Sequence, residues 1–117
     1  MYKRILVPVD GSATSNRGLQ EAIQLAKDQK AALFLLHVVD ENAVIRNAMA
    51  DGAFLDSLIK SLAESGKKIL AKADVLARQK GVKPQTLLLE NWSMSVADAI
   101  VKQAKKNRAD LIVLETH

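Results

Sequence analysis

Ile5-Leu6-Val7-Pro8-Val9-Asp10-Gly11-Ser12 is the stretch on which the reading of the fold turns. Its first five residues are continuously apolar rather than alternating. That is the pattern of a parallel strand covered on both faces. Asp, Gly and Ser then follow in a row, and behind them Leu19, Ala22, Ile23 and Ala26 recur at helical spacing. Ser12, Thr14 and Ser15 are the candidate N-caps of that helix. A buried strand, a tight turn and an amphipathic helix in this order begin a βαβ unit.

The same grammar continues outward. Ala32-Leu33-Phe34-Leu35-Leu36-His37-Val38-Val39 and Asp110-Leu111-Ile112-Val113-Leu114 are two more buried-strand runs. Gln85-Thr86-Leu87-Leu88-Leu89-Glu90 is shorter, more polar at its ends, and suits a sheet edge. Apolar residues from Leu55 to Ala77 predict a long helix over 53–79, stopped at Gly81 with Pro84 beyond. Gly66 lies inside this helix and is expected to weaken it by roughly 1 kcal/mol relative to Ala. Val96, Ala97, Ile100 and Ala104 predict a third helix, with Ser95 and Asp98 placed like a capping box. Residues 40–52 carry no periodicity and are expected to be a mobile loop over the second crossover. The element order is β-α-β-α-β-α-β: an α/β fold with an open parallel sheet and helices on both faces.

Composition bounds what such a domain does. The 117 residues suffice for a single domain, residues 1–117, with one modest core. Hydrophobic residues are 49% and charged residues 26%, which excludes long disorder. No apolar run approaches the ~18 residues of a membrane span, so no membrane partner is expected. The N-terminus has no signal-peptide pattern and the chain has no cysteine, so a cytoplasmic location is expected. Net charge is +4, but it is unevenly placed: residues 60–83 hold seven Lys/Arg against two Asp/Glu. Aromatic residues are only 3%, which removes base-stacking platforms. The basic segment reads as a solvated helix face, and no nucleic-acid partner is expected.

Ligands of open parallel sheets bind beyond the carboxyl ends of the strands. The residues there are Pro8, Asp10, Gly11 and Ser12 after the first strand and Val38, Asp40 and Glu41 after the second. Asn91 and Trp92 follow the 85–90 run, and Glu115, Thr116 and His117 follow the last. Two readings of Val9-Asp10-Gly11-Ser12 stand side by side. In one, the helix N-terminus faces an anion while Asp10 bonds a ribose hydroxyl or holds Mg²⁺ through water. In the other, Asp10 and Ser12 simply cap the turn and the helix. Ser65-Gly66-Lys67-Lys68 is not a phosphate loop, because it sits in mid-helix and position 61 is Ser. His37 reads as a hydrogen-bonded core residue, and Trp92 as partial core packing. No catalytic set, zinc cluster or carboxylate pair is visible, so the chain is read as non-enzymatic, with weak ATPase activity as the reading left open beside it.

These residues resemble the universal stress protein family along the whole chain. Tyr2 to Ser12 looks like that family's first strand and turn, and Leu36-His37-Val38-Val39-Asp40 like its second strand. Ala97-Asp98-Ala99-Ile100 and Ala109 to Leu114 look like its third helix and fourth strand. The resemblance implies an adenine nucleotide alpha hydrolase-like sheet in order 3-2-1-4-5, a homodimer, and binding of ATP or another adenine nucleotide. By position, Pro8, Val9, Asp10, Gly11 and Ser12 would meet the adenosine and phosphates, and the Val38 backbone the adenine. Glu115 and Thr116 fall where the family's motif G-x2-G-x9-G-[S/T] begins. Glu115 stands at the first glycine position and puts a negative charge near the phosphates. Asn91-Trp92-Ser93-Met94 replaces the usual Gly/Pro-rich exit of the third strand. The chain is expected to be an incomplete copy, one helix and one strand short of the family's fold; a shortened member whose open edge a partner covers is the other reading. The functional expectation is a stress-response sensor or regulator that binds an adenine nucleotide. The alternative is a nucleotide-free interaction module acting through protein partners.

Overall fold

A computed structural model describes residues 1–41, 52–91 and 93–114. The elements are β1 (Arg4–Pro8), α1 (Ala13–Gln29), β2 (Ala32–Asp40), α2 (Gly52–Gln79), β3 (Gln85–Asn91), α3 (Val96–Lys106) and β4 (Leu111–Ile112). The four strands form one parallel sheet in the order β3-β2-β1-β4. The run at 85–90 is therefore the edge strand expected of it. The expected 40–52 loop lies largely outside the described residues.

Side chains alternate across the sheet, as the pleat requires. Ile5, Val7, Leu33 and Leu35 point to one face, where Leu19, Ala22, Ile23 and Ala26 of α1 and Leu70, Ala73 and Ala77 of α2 cover them. Leu6, Phe34 and Leu36 point to the other, against Ile100 and Ala104 of α3. Topology accounts for this split. The first two crossovers step in one direction, so right-handedness puts α1 and α2 on one face. The third steps back across the sheet to the far side of β1, so α3 lies opposite. The reversal creates a switch point between β1 and β4, where their exits diverge.

Helix ends follow local chemistry. Ser12 caps α1 by accepting the Ser15 N–H, and Ser95 caps α3 by accepting the Asp98 N–H. Thr14 and Ser15 are not the cap; they lie inside α1. Gly81 stops α2 at φ +89°, and Val82 N–H closes onto Ala77 O at 2.9 Å. The other two helices end on non-glycine residues at positive φ, Lys30 (53°) and Arg108 (56°). Gly66 does not interrupt α2. A Cβ there would lie 2.6 Å from His37 Cδ2 and 2.9 Å from Leu88 Cδ1, so the glycine lets the helix approach the sheet.

The last strand is shorter than its apolar run. Only Leu111 and Ile112 pair with Ile5 and Leu6, not all of 110–114. The flanking bonds Asp110 N–H to Arg4 O (2.8 Å) and Val113 N–H to Leu6 O (3.0 Å) extend the ladder. Asp110 also accepts the N–H groups of Lys3 (2.9 Å) and Arg4 (3.0 Å), tying the two ends of the chain together. These bonds to Lys3 first, and then to Arg4, hold its carboxyl below the usual carboxylate range.

Candidate functional site

A cleft of about 220 Å³ opens beyond the carboxyl ends of β1, β2 and β4, at the switch point. Pro8, Val9, Asp10, Ser12 and Val38 all line it, together with His37, Val96, Ile100, Val113 and Leu114. Five of the eight residues singled out in the sequence thus converge on one space. Glu115 and Thr116 lie outside the described residues, as does Trp92. Gly11 is adjacent but does not line this cleft; it lines a second one on the other side of the turn.

The β1–α1 turn is built by its own polar groups. Gly11 sits at φ +83°, a conformation that excludes most side chains. Asp10 Oδ1 accepts the Ser12 N–H at 2.9 Å, an Asx turn. Ser12 Oγ accepts the Ser15 N–H at 3.0 Å, and Ser15 Oγ accepts the Asp10 N–H at 3.0 Å. Asp10 and Ser12 therefore do cap the turn and the helix. The same arrangement presents the N-terminus of α1, and the partial positive charge it carries, beside the cleft. The capping reading and the ligand reading describe one geometry.

His37 is the residue whose part in this site the sequence understated. Its Nδ1 lies 2.7 Å from the Val9 carbonyl oxygen, so the strand histidine anchors the turn from β2. It is hydrogen-bonded, as read, but half-buried at the edge of the core, where it also lines the cleft. The available signal was Gly66: a glycine in mid-helix marks a close approach, and here the group approached is the imidazole.

The walls are mostly apolar. Among the described residues, Asp10 and His37 are the titratable ones that line the cleft, and neither Lys nor Arg does. Such a space suits a flat, weakly polar ring system with a hydroxylated or anionic end toward Asp10 and the α1 N-terminus. Its volume is below the ~300–1,000 Å³ of typical small-molecule cavities, so a ligand of ordinary size would be enclosed only in part. Among the described residues no group of three or more His, Cys, Asp or Glu could hold a metal ion. Farther out, Asn91 is buried and its Nδ2 donates to the Met94 carbonyl, fixing the exit of β3. Glu41, just past β2, is fully buried, and its oxygens have no hydrogen-bond partner among the described residues. Burial, then the nearby Glu90 carboxylate, pushes its pKa up.

A four-stranded parallel sheet with helices on both faces and a cleft at its switch point is the architecture of open, doubly wound α/β domains, whose ligands sit at the strand ends. Within that class the assignment is specific. The chain belongs to the universal stress protein family, whose model matches residues 1–117. It is 35% identical to a universal stress protein of Methanocaldococcus jannaschii over 99% of this chain and 65% of that protein. It is 34% identical to universal stress protein YxiE of Bacillus subtilis over 97% of this chain and 78% of that one. The chain thus spans just under two thirds of the archaeal relative's length. A crystal structure of a family member from Burkholderia pseudomallei superimposes with a TM-score of 0.86 at 32% identity, covering 99% of this chain and 83% of that one. Two more distant structures share the fold. One is a universal stress protein in complex with cAMP (TM-score 0.66, 21% identity, 95% of this chain and 70% of that one). The other is from Archaeoglobus fulgidus in complex with dAMP (TM-score 0.67, 22% identity, 95% and 78%).

Proposed function

We propose that this chain is a stress-response regulator that binds an adenine nucleotide in the cleft at the ends of β1, β2 and β4. The observation that carries the reading is the convergence of Pro8, Val9, Asp10, Ser12 and Val38 on one apolar cleft at the N-terminus of α1. That two structural relatives were solved with adenine nucleotides supports it. Val38 and the apolar walls would hold the adenine, Asp10 the ribose, and the α1 N-terminus the first phosphate. With ATP bound, Mg²⁺ would be held by phosphate oxygens and by Asp10 through water, the ligand set that ion favours. In this reading the role is binding rather than catalysis. A homodimer in the cytoplasm is part of the same proposal.

Titration with ATP and Mg²⁺ tests it. The expected result is saturable binding that Asp10→Asn weakens about tenfold, the loss of one charge-assisted hydrogen bond. Asn keeps the oxygen that accepts the Ser12 N–H, so the turn survives. No binding, or equal binding by the variant, overturns the reading. The second reading, a nucleotide-free module acting through protein partners, rests on the lack of Lys or Arg among the described lining residues. ATP co-purifying in stoichiometric amount overturns that one.

A further inference from the structure

The basic segment of the sequence is not one uniform solvated face. On α2, Lys67 pairs with Glu64 at 3.2 Å and Arg78 with Asp74 at 2.9 Å. Lys68 and Lys72 are one turn apart and make no ion pair among the described residues. Both line a second cleft, about 460 Å³, between α1 and α2. Its volume falls within the range of small-molecule sites. Leu19, Ile69 and Leu76 give it an apolar floor, and no Asp or Glu is among its described lining residues. Val75, on the same wall, is 53% exposed although apolar. An apolar trough whose charged lining groups are cations alone is complementary to one kind of molecule: an apolar body with a single anionic head.

We propose that this α1–α2 cleft is a binding site for a small amphipathic carboxylate, with Lys68 and Lys72 holding the carboxylate and the apolar floor holding the chain. The spacing is suited to it. Residues four apart on a helix have Cβ atoms ~5–6 Å from each other, so two flexible lysine stems can bring their ammonium groups to one carboxylate. The site opens on the other side of the Gly11 turn from the strand-end cleft. Val9 lines both, but none of the described residues of α2 lines the strand-end cleft. The proposal therefore does not depend on whether ATP binds.

Decanoate, kept below its self-association concentration, is the probe, with decanol as its uncharged counterpart. Isothermal titration is expected to show one saturable site for decanoate and at least about tenfold weaker binding of decanol, the equivalent of ~1.4 kcal/mol. Lys68→Glu with Lys72→Glu should weaken decanoate by a similar factor. Val75→Trp, at an exposed position, should fill the trough and abolish binding while leaving the melting temperature and ATP titration unchanged. Amide shift changes on adding decanoate should cluster on α1 and α2. Absence of saturable binding, decanol binding as tightly as decanoate, or a folded Lys68/Lys72 variant that binds like the parent overturns the proposal. So do shift changes confined to Val38 and Val113, which would place the ligand at the strand ends.

Discussion

At residue 66 two local preferences oppose each other. Replacing a mid-helix glycine by alanine favours the helix by ~1 kcal/mol. Here the added methyl would meet His37 and Leu88 inside contact distance. Overpacking of that kind costs ~1–3 kcal/mol, so Gly66→Ala is expected to destabilise the protein despite the better helix former. Urea denaturation measures it, and a gain in midpoint would show that the helix can back away freely. A double-mutant cycle with His37→Ala is expected to show a favourable coupling of about 1 kcal/mol or more, because the small side chain leaves room for the methyl. This pair also shows what a single sequence conceals. Gly66 reads as a weakness and His37 as an isolated polar residue in a strand. Their meaning is mutual, and only the packing of α2 against β2 makes it visible. Gly11 carries a similar lesson. Its place in the turn was legible from its neighbours, but which side of the turn it exposes was not.

The elements themselves were legible because their signals are local. Continuous apolar runs located β1, β2 and β3, and helical spacing bounded α2 to within a residue of its observed start. Ser95 was correctly marked as a cap, and its truncation to Ala should cost about 1 kcal/mol. The helix C-termini were harder. Gly81 announces its own positive φ, whereas Lys30 and Arg108 do not. A non-glycine residue in the left-handed region pays ~1–2 kcal/mol, partly offset in any glycine replacement by greater unfolded-chain entropy. Lys30→Gly is therefore expected to stabilise the protein by ~0.5–1 kcal/mol, seen as a rise of a few degrees in melting temperature. Lys30 is remote from both clefts, so ATP titration should not change. A fall in melting temperature would mean that the lysine side chain contributes more than its backbone strain costs. The shortness of β4 was also beyond the sequence. Its run is as apolar as that of β1, but apolarity reports burial and not pairing. Among the described residues the strand pairs with β1, at Ile5 and Leu6.

For the whole molecule, strand order decides where function and closure fall. Alternation in the sequence predicts a parallel sheet, but the strand order, whose reversal between β1 and β4 places the cleft, was implied only by the family resemblance; handedness then sets α3 on the face opposite α1 and α2. The second cleft needed side-chain detail, because paired and unpaired lysines look alike in sequence. Closure depends on the joint between β1 and β4, residues from opposite ends of the chain. Asp110 secures it by accepting N–H bonds from Lys3 and Arg4, which depress its pKa. A depressed carboxylate stabilises the fold fully above its unfolded pKa, near ~3.9, and that contribution is lost as pH falls through the lower folded value. Glu41 works in the opposite sense. Burial and Glu90 raise its pKa, so stability falls as pH rises from its unfolded pKa, near ~4.3, through the folded value. Urea midpoints measured from pH 7 down to the acid range separate the two. Asp110→Asn is expected to lower the midpoint at neutral pH and to flatten its decline on acidification. Glu41→Gln is expected to raise the midpoint at neutral pH and leave the acid limb steep. If Asp110→Asn left the acid limb unchanged, the joint between the ends of the chain would not be what acid breaks, and other carboxylates would have to carry the loss.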